Sequence, residues 1–422
     1  ADKYTAPEKP RFVAGAMGPT TKTLSVTGGV TFDQLVESYF EQALALIEGG
    51  VDALLLETSQ DTLNVKAGGI AVRKAFEAAG KEVPIMISGT IEPMGTTLAG
   101  QNIEAFLVSL EHLKPVSIGL NCATGPEFMK DHIRTLAQLT DAAVSCYPNA
   151  GLPDENGCYH ETPETLAAKL ADFAAQGWVN IVGGCCGTTP DHIRAIAERL
   201  KFFPPRERKG AHPPAVSGIE TVYLEPDSKP LLVGERTNVI GSRKFKRLIF
   251  EGKFEEASEI ARAQVKAGAH IIDVNLEDTE LDEKTAMAEF LRLVTKKVKV
   301  PLMLDSTNPE VLEIGLKYSQ GKAIINSINM EDGLARFERV VPLIHKYGAA
   351  VVVGLIDEKG MAVWPEDKLR VAEKAYDILV NRYGVHPRDI IFDPNVFPVG
   401  SGDPQYIGSA ADRKSTRLTS SH

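Results

Sequence analysis

Several features are scarce in this 422-residue sequence, and each scarcity excludes a class of protein. Cysteine occurs only five times, an odd and sparse count that does not suit a secreted disulfide framework. No run of about 18 apolar residues is available to span a membrane, and no signal peptide is recognisable at the start. Lys and Arg number 46 against 56 Asp and Glu, which argues against a basic surface for nucleic acid. We therefore expect a cytoplasmic protein with reduced thiols and neither a membrane nor a nucleic-acid partner.

Two series of short apolar or β-branched segments alternate with amphipathic helical segments, a pattern typical of βα units and parallel sheets. The predicted strands are residues 11–18, 52–58, 84–90, 116–123, 142–151 and 179–187, then 231–238, 270–275, 301–306, 322–329, 349–355 and 389–395. Each series has six strands, whereas a (β/α)8 TIM-type barrel has eight. We therefore predict an α/β protein with two consecutive, incomplete barrels, the first lacking its first two strands and the second its last two.

A doubly wound Rossmann-like sheet is the alternative fold. It is disfavoured because no strand–GxGxxG–helix unit with a later acidic residue occurs, and the GAMG segment at 15–18 is too short to support one.

Prolines concentrated between residues 204 and 230 interrupt the alternation and indicate an inter-domain linker. We predict a first domain at residues 1–200, a linker at 201–229 and a second domain at 230–411. Residues 412–422 lack the apolar stripe of a closing helix, so we predict that they are a non-native tail. A natural frayed end is the alternative.

Three cysteines stand at predicted strand ends of the first domain. Cys122 ends the fourth predicted strand in GLNCA, and Cys185 and Cys186 end the sixth in GGCCGT. The C-terminal ends of barrel strands meet at one mouth, so three thiolates there suit a Zn²⁺ ion with one position open for a thiol substrate. Glycines around the adjacent pair would permit the irregular backbone needed to turn both sulfurs to one ion. We therefore predict a zinc site at these cysteines.

Other interpretations of these residues remain open on the sequence alone. Cys122 could be an ordinary buried cysteine, Cys185 and Cys186 could form a vicinal disulfide, and the GGCCGTTP turn could hold a phosphate at a helix start. Glu57 ends the second predicted strand and could bind a substrate ammonium group, with a salt bridge to a loop residue as the alternative. His192, in the following helix, is expected to be a surface or packing residue.

The predicted strands of the second domain repeatedly end in an acid or an amide. The residues are Glu235 and Asn238, Asp273 and Asn275, Asp305, Asn326 and Asn329, and Asp393 and Asn395. Buried polar groups need partners, so this ring predicts a ligand rich in donors and acceptors, such as the amino-pyrimidinone face of a pterin. A metal site and N-capping of the following helices are the alternatives.

The motifs GLNCA, GGCCGT and PNAGLP (148–153) resemble the homocysteine S-methyltransferase family, and GERTN, DVN, LDST, INSIN and FDPN resemble the pterin-binding methyltransferases. In this order, with a proline-rich linker between them, the two are similar to the N-terminal half of the cobalamin-dependent methionine synthase family. The resemblance covers nearly all of residues 1–411. It implies methyl transfer from 5-methyltetrahydrofolate through cobalamin to zinc-bound homocysteine, which gives methionine and tetrahydrofolate.

The resemblance also implies roles for individual residues. Cys122, Cys185 and Cys186 match zinc ligands at the catalytic site, and Glu57 matches the acid that holds the homocysteine amino group. The residues that match pterin-contacting or pocket-lining positions are Asn238, Asp273, Asp305, Asn326 and Asp393. The family's cobalamin-binding and reactivation modules are not in this sequence, so the resemblance implies that this chain alone does not turn over.

Two other functions remain open on the sequence. One is a folate-free homocysteine S-methyltransferase, using betaine or a methylated thiol donor, fused to a domain that resembles dihydropteroate synthase. The other is a non-catalytic pterin-binding or scaffold fragment. We also expect the chain alone to be poorly soluble, because incomplete barrels expose strand edges.

Overall fold

A computed structural model describes residues 1–225 and 230–395. The chain divides into two compact units, Ala1–His212 and Pro213–His422. The predicted tail at 412–422 lies outside the described residues. Within the described ranges, no helix has the length and apolar character needed to cross a bilayer.

The first unit contains one six-stranded parallel sheet whose strands follow each other in chain order. Its strands are β1 Ala14–Met17, β2 Ala53–Ser59, β3 Ile85–Gly89, β4 Ser117–Asn121, β5 Ala143–Tyr147 and β6 Ile181–Val182. Its helices are α1 Phe32–Glu48, α2 Thr62–Ala79, α3 Ile103–Leu110, α4 Pro126–Leu139, α5 Pro163–Ala175 and α6 Pro190–Leu200. The six predicted strands and the parallel α/β architecture are confirmed. Among the described residues, β1 and β6 each pair with one neighbour only, so closure into a barrel stays a prediction.

Local sequence signals determine where several of these helices begin. Thr31 caps α1 and forms a capping box with Gln34, in which each side chain accepts from the other residue's backbone N–H at 2.9 and 3.2 Å. Thr162 and Thr189 cap α5 and α6, each followed by proline at the first helical position, where no backbone N–H is needed. The helices therefore start directly after the loops that follow the strand ends, and those loops carry the polar and sulfur-bearing residues.

The second unit repeats this arrangement in a second six-stranded parallel sheet. Its six strands are β9 Val233–Gly234, β10 Ile271–Asn275, β11 Leu302–Asp305, β12 Ile324–Ile328, β13 Ala350–Gly354 and β16 Ile390–Asp393. Its helices are α7 Arg243–Phe250, α8 Phe254–Lys266, α9 Glu283–Val294, α10 Pro309–Tyr318, α11 Ala335–Tyr347 and α12 Pro365–Asp377. A small antiparallel pair, β14 Ile356–Asp357 and β15 Gly360–Met361, lies between β13 and α12. The second predicted series of strands is confirmed, and as in the first unit the described sheet is open.

The proline-rich stretch predicted as a linker contains ordered structure on both sides of the division between the units. On the side of the first unit, Arg206 is buried and donates to the carbonyls of Ala137, Thr140 and Ala142. On the side of the second unit, an antiparallel hairpin of β7 Ala215–Ser217 and β8 Thr221–Tyr223 follows. Val216 of that hairpin is fully buried in the core of the second unit. Much of this stretch is therefore packed structure rather than a free coil.

Candidate functional site

Three cysteine sulfurs meet at the C-terminal ends of β4 and β6. The Cys122 Sγ lies 3.7 Å from the Cys186 Sγ, and the Cys185 Sγ lies 4.0 Å from the Cys186 Sγ. All three sulfurs lie within 4.8 Å of one another, and the described residues contain no other group of three or more His, Cys, Asp or Glu side chains so arranged for a metal. The structure therefore brings together the three cysteines that the sequence singles out.

The spacing of the sulfurs suits a tetrahedral ion. With Zn–S bonds of about 2.3 Å, two sulfur ligands of zinc lie about 3.8 Å apart, close to the two separations found here. All five cysteines are free thiols, so the vicinal disulfide considered for Cys185 and Cys186 is not formed. Cys122 and Cys185 are only half-buried and Cys186 is exposed, which leaves the cluster open to a substrate.

The backbone around the cysteines is irregular where the sulfurs must converge. Cys122 has a φ of +57° directly after β4, a conformation rare for a residue with a side chain. Gly187 has a φ of +79°, and an added Cβ there would lie 2.3 Å from the Tyr159 ring. The Cys186 N–H donates to the Asn149 Oδ1 at 3.2 Å. These contacts fix the turn that directs two adjacent sulfurs to one side, which a regular strand cannot do.

Burial disfavours the charged form of the Cys122 and Cys185 thiols. It is the main reason that the pKa of the Cys185 thiol rises to about 12, and the neighbouring sulfurs add to the effect. Burial also raises the pKa of Cys122. Three thiolates this close would repel each other, so a cation is needed to hold all of them deprotonated.

Glu57 lies at the end of β2 and is held by Tyr147, whose Oη donates to the Glu57 Oε2 at 3.2 Å. Burial raises the pKa of Tyr147 well above its usual range, so the phenol stays a neutral donor. The charges of both Glu57 and Cys185 act on this phenol. Tyr147 therefore holds the Glu57 carboxylate and lies near enough to Cys185 to interact with its charge.

His192 is a buried structural residue of the first turn of α6. Its Nδ1 accepts from the Thr189 N–H at 3.1 Å, and its Nε2 lies 2.9 Å from the Glu161 carbonyl oxygen, to which it donates. The expectation of a packing residue is confirmed, and a surface position is excluded because the side chain is buried.

Polar side chains form a row across the second sheet. Asn275, Asp305 and Asn326 are register partners on β10, β11 and β12, and Asn238 forms a bridge to Asn275. The Asn275 Nδ2 donates to the Asp305 Oδ2 at 3.0 Å, and the Asn238 Nδ2 donates to the Asp273 Oδ2 at 3.4 Å. The structure therefore brings five of the predicted polar residues together at one end of the sheet.

Asp273 and Asp305 are the acids of this row. Asp273 is only 3% exposed, and its Oδ1 has no hydrogen-bond partner within the described part of the chain. Burial, followed by the negative charge of Asp305, raises the pKa of Asp273 to about 7. Burial also raises the pKa of Asp305. A buried acceptor without a partner is costly, so this site is suited to a ligand that donates hydrogen bonds.

Part of the ring serves turns in the loops, but not the N-capping of helices considered as an alternative, because Ser242 caps α7 and Asp282 caps α9. The Asn238 Oδ1 accepts from the Ile240 and Gly241 N–H groups, and the Asn275 Oδ1 accepts from the Glu277 N–H at 3.0 Å. Each amide therefore uses its oxygen for a turn and directs its nitrogen to an acid.

Asp393 lies at the end of β16, in register with Gly354, and its side chain is exposed. Its Oδ1 accepts from the Asn395 N–H at 2.9 Å. Within the described ranges, no hydrogen bond joins the Asp393 side chain to the Asp273–Asp305 row. The structure thus places it at the same end of the sheet but does not bring it into that network.

Several residues of both sites were not selected from the sequence. Asn121 and Tyr147 support the first site, although Asn121 directly precedes Cys122 and could have been noticed for that reason. In the second site, the Arg336 side chain of α11 donates to the backbone carbonyls of Ser306 and Ser327 and so holds the loops after β11 and β12. No sequence motif marks Arg336, because it comes from a helix rather than from a strand end.

Each unit is similar to a different family of known proteins. Residues 1–200 match the family described as homocysteine S-methyltransferase, and residues 234–407 match the family described as pterin binding enzyme. The first unit is thus similar to homocysteine S-methyltransferases, and the second is similar to pterin binding enzymes.

Among solved structures, the chain is similar to the homocysteine methyltransferase MmuM from Escherichia coli. The apo form is 22% identical with a TM-score of 0.34, and the match covers 44% of this chain and 62% of that one. The metallated form is 23% identical with a TM-score of 0.35, and the match covers 46% of this chain and 62% of that one.

Proposed function

We propose that this chain supplies the homocysteine and methyltetrahydrofolate sites of a cobalamin-dependent methionine synthase. The methyl group would pass from 5-methyltetrahydrofolate to homocysteine with cobalamin as the intermediate carrier, giving methionine and tetrahydrofolate. The observation that carries the proposal is the sulfur cluster of Cys122, Cys185 and Cys186, open on one side and followed in the same chain by a buried Asp/Asn site. We assign the cobalamin step to other modules of the full-length protein.

In the first unit, the three cysteines would hold zinc, which lowers the pKa of a bound thiol and keeps its sulfur nucleophilic at neutral pH. Glu57, fixed by Tyr147, would bind the ammonium group of homocysteine and so orient its thiol toward the cluster. Cys122 and Cys185 are half-buried, and the exposed Cys186 leaves the cluster accessible to the substrate.

In the second unit, Asp305 and Asn326 would bind the donor-rich face of the pterin, and Asn238 and Asp273 would line the same pocket. Asp393 is proposed to complete it. An amine nitrogen is a poor leaving group unless it is protonated. Because the pKa of Asp273 is about 7, this carboxyl can hold or release a proton near neutral pH, and we assign it a role in proton supply to the pterin.

Metal analysis tests the first site. We expect about one zinc per chain in the purified protein and little in the Cys186→Ala variant, because two sulfurs do not complete the site. The matched control is Cys158→Ala, which removes an exposed cysteine outside the cluster and should retain zinc. Full zinc content in Cys186→Ala would contradict the assignment.

Ligand binding to the second unit separates this proposal from its rivals. We expect 5-methyltetrahydrofolate to bind and the Asp305→Asn variant to bind it roughly 10–100-fold more weakly, since a hydrogen bond to a charged group contributes about 1.5–3 kcal/mol. Isothermal titration calorimetry measures both. Binding of a pterin diphosphate but not of methyltetrahydrofolate would favour the folate-free methyltransferase fused to a dihydropteroate-synthase-like domain. Zinc and pterin binding without methyl transfer in the presence of a cobalamin module would favour a non-catalytic fragment.

A further inference from the structure

Asn121 is a fully buried amide at the end of β4, immediately before Cys122. Its Oδ1 accepts from the Thr58 N–H at 3.0 Å and from the Ser88 Oγ at 2.7 Å. Its Nδ2 donates to the Thr58 Oγ1 at 2.9 Å and lies 3.9 Å from the Cys185 Sγ. A backbone N–H can only donate, so the Thr58 contact fixes which end of the carboxamide is oxygen. The remaining N–H is therefore directed toward the sulfur.

The contacts with Thr58 hold an unfavourable backbone conformation. Thr58 has a φ of +56°, which a β-branched residue rarely adopts. Asn121 bonds both the N–H and the hydroxyl of this residue, and such conformations persist where several contacts determine them. Glu57 directly precedes Thr58, so the same contacts determine the direction of the proposed ammonium-binding carboxylate.

The contact with Cys185 acts on the other half of the site. A donor near a metal-bound thiolate orients the ligand and withdraws charge from the sulfur. Cys185 is also held through its backbone, whose N–H donates to the Pro148 carbonyl at 2.9 Å. The Asn121 N–H thus supplies a constraint on the sulfur itself, which the backbone contact does not provide.

We propose that Asn121 is a positioning residue that joins the metal ligand Cys185 to the Glu57–Thr58 turn. One N–H of its carboxamide orients the sulfur, and the rest of the group holds the turn that directs Glu57. A single buried side chain thereby fixes the position of the metal ligand Cys185 relative to the carboxylate that binds the substrate ammonium group. The inference rests on the proposed zinc and homocysteine function.

Substitution by aspartate removes the N–H directed at sulfur, while the Thr58 hydroxyl can turn and donate to the new carboxylate. Asn121→Asp keeps an oxygen for the Thr58 N–H and the Ser88 hydroxyl but lacks the amide N–H. With Co²⁺ as the probe, we expect the affinity measured by chelator competition to fall roughly 10–100-fold. We also expect the sulfur-to-cobalt charge-transfer band to move to lower energy, because the thiolate loses a donor. Asn121→Ser, which is smaller and uncharged, should shift the band in the same direction and serves if the aspartate variant does not fold.

The matched control is Asn180→Asp in the same unit. The Asn180 Oδ1 accepts from the Val144 N–H at 2.9 Å, and its Nδ2 donates to the Arg206 carbonyl at 2.8 Å. The same substitution there also keeps an acceptor and loses a donor, but away from the cluster. We expect wild-type cobalt affinity and an unshifted band. An equal change in this control would show a general loss of stability and overturn the proposal.

A second substitution tests the link to Glu57. Asn121→Ser should weaken homocysteine binding, and adding Thr58→Gly should restore it because glycine adopts a φ near +56° without support. The cobalt band should stay at the position found for Asn121→Ser. Two results would overturn the proposal. One is wild-type cobalt affinity with an unshifted band in both Asn121→Asp and Asn121→Ser. The other is homocysteine binding that Thr58→Gly does not restore in the Asn121→Ser protein. A wild-type chain that binds neither Zn²⁺ nor Co²⁺ would instead contradict the proposed function itself.

Discussion

At the scale of single residues, burial determines the protonation of both proposed sites. Cys185 is partly and Asp273 almost wholly removed from water, each beside groups of like charge, and in both the neutral form is favoured. In the first site a cation would reverse this preference. In the second the result is a carboxyl with a pKa of about 7, within the range that proton transfer at neutral pH requires.

Asp273 should make stability depend on pH. Its pKa is about 7 in the folded protein against 3.8 for an exposed carboxyl, so the folded state binds the proton more tightly. The free energy of unfolding therefore falls as the pH rises from about 4 to about 7, by at most roughly 4 kcal/mol from this group. We expect Asp273→Asn, compared with wild type by urea unfolding at several pH values, to reduce this slope. An identical slope in both proteins would contradict the assigned pKa.

The residues with the clearest chemistry were found from the sequence, and their supports were not. Cysteines and acids at predicted strand ends are conspicuous because few other residue types bind a metal or accept several hydrogen bonds. Asn121 and Tyr147 are ordinary residues until the fold brings Asn121 to Thr58 and Tyr147 to Glu57. Such contacts join positions more than 60 residues apart, which no local pattern encodes.

At the scale of secondary structure elements, the turn after β6 is decisive for the first site. β6 has only two residues, whereas the sequence segment assigned to it runs from 179 to 187. The chain leaves the sheet where the glycines begin, and the loop that follows carries both cysteines. Apolar content predicts that a strand exists here. The residue at which its pairing with β5 ends depends on the backbone conformation that brings the sulfurs together.

Gly187 provides a test of this turn. Gly187→Ala introduces a Cβ within 2.3 Å of the Tyr159 ring at a φ of +79°. We expect clear loss of zinc and a free energy of unfolding lowered by more than the roughly 1–2 kcal/mol that a left-handed conformation alone costs.

Gly157→Ala is the matched control for that variant. Gly157 has nearly the same φ, +77°, but open space around the position of an added Cβ. The free energy of unfolding of the Gly157→Ala variant should therefore fall by only about 1–2 kcal/mol, and this variant should keep its zinc. Equal zinc content in the two variants, measured after the same purification, would argue against a role for the turn in metal binding.

At the scale of the whole molecule, the side chains of each proposed site come from a single unit. The sulfur cluster, Glu57 and their supports lie within Ala1–His212, and the Asp/Asn row lies within Pro213–His422. Each site is therefore assembled by the loops at one end of one parallel sheet, where ligands of α/β proteins commonly bind.

This separation predicts independent binding. Cys186→Ala should leave the affinity for 5-methyltetrahydrofolate within about twofold of wild type, because substitutions that share no interaction partners are usually additive within roughly 0.5 kcal/mol. Asp305→Asn should in turn retain about one zinc per chain. Calorimetry and metal analysis of the two variants measure these effects. A loss of folate affinity in Cys186→Ala would contradict this prediction, because it would show energetic coupling between two sites that share no residues.

The sequence by itself determined the alternation of strands and helices, the parallel α/β class, the caps of the helices and the choice of chemically competent strand-end residues. These depend on periodicity and on interactions between residues close in the chain. Only the tertiary structure decided which residues meet. It brought Cys122 to the vicinal pair and left Asp393 outside the hydrogen-bonded row. It also folded part of the proline-rich stretch onto the two units, because those contacts depend on packing between segments far apart in sequence.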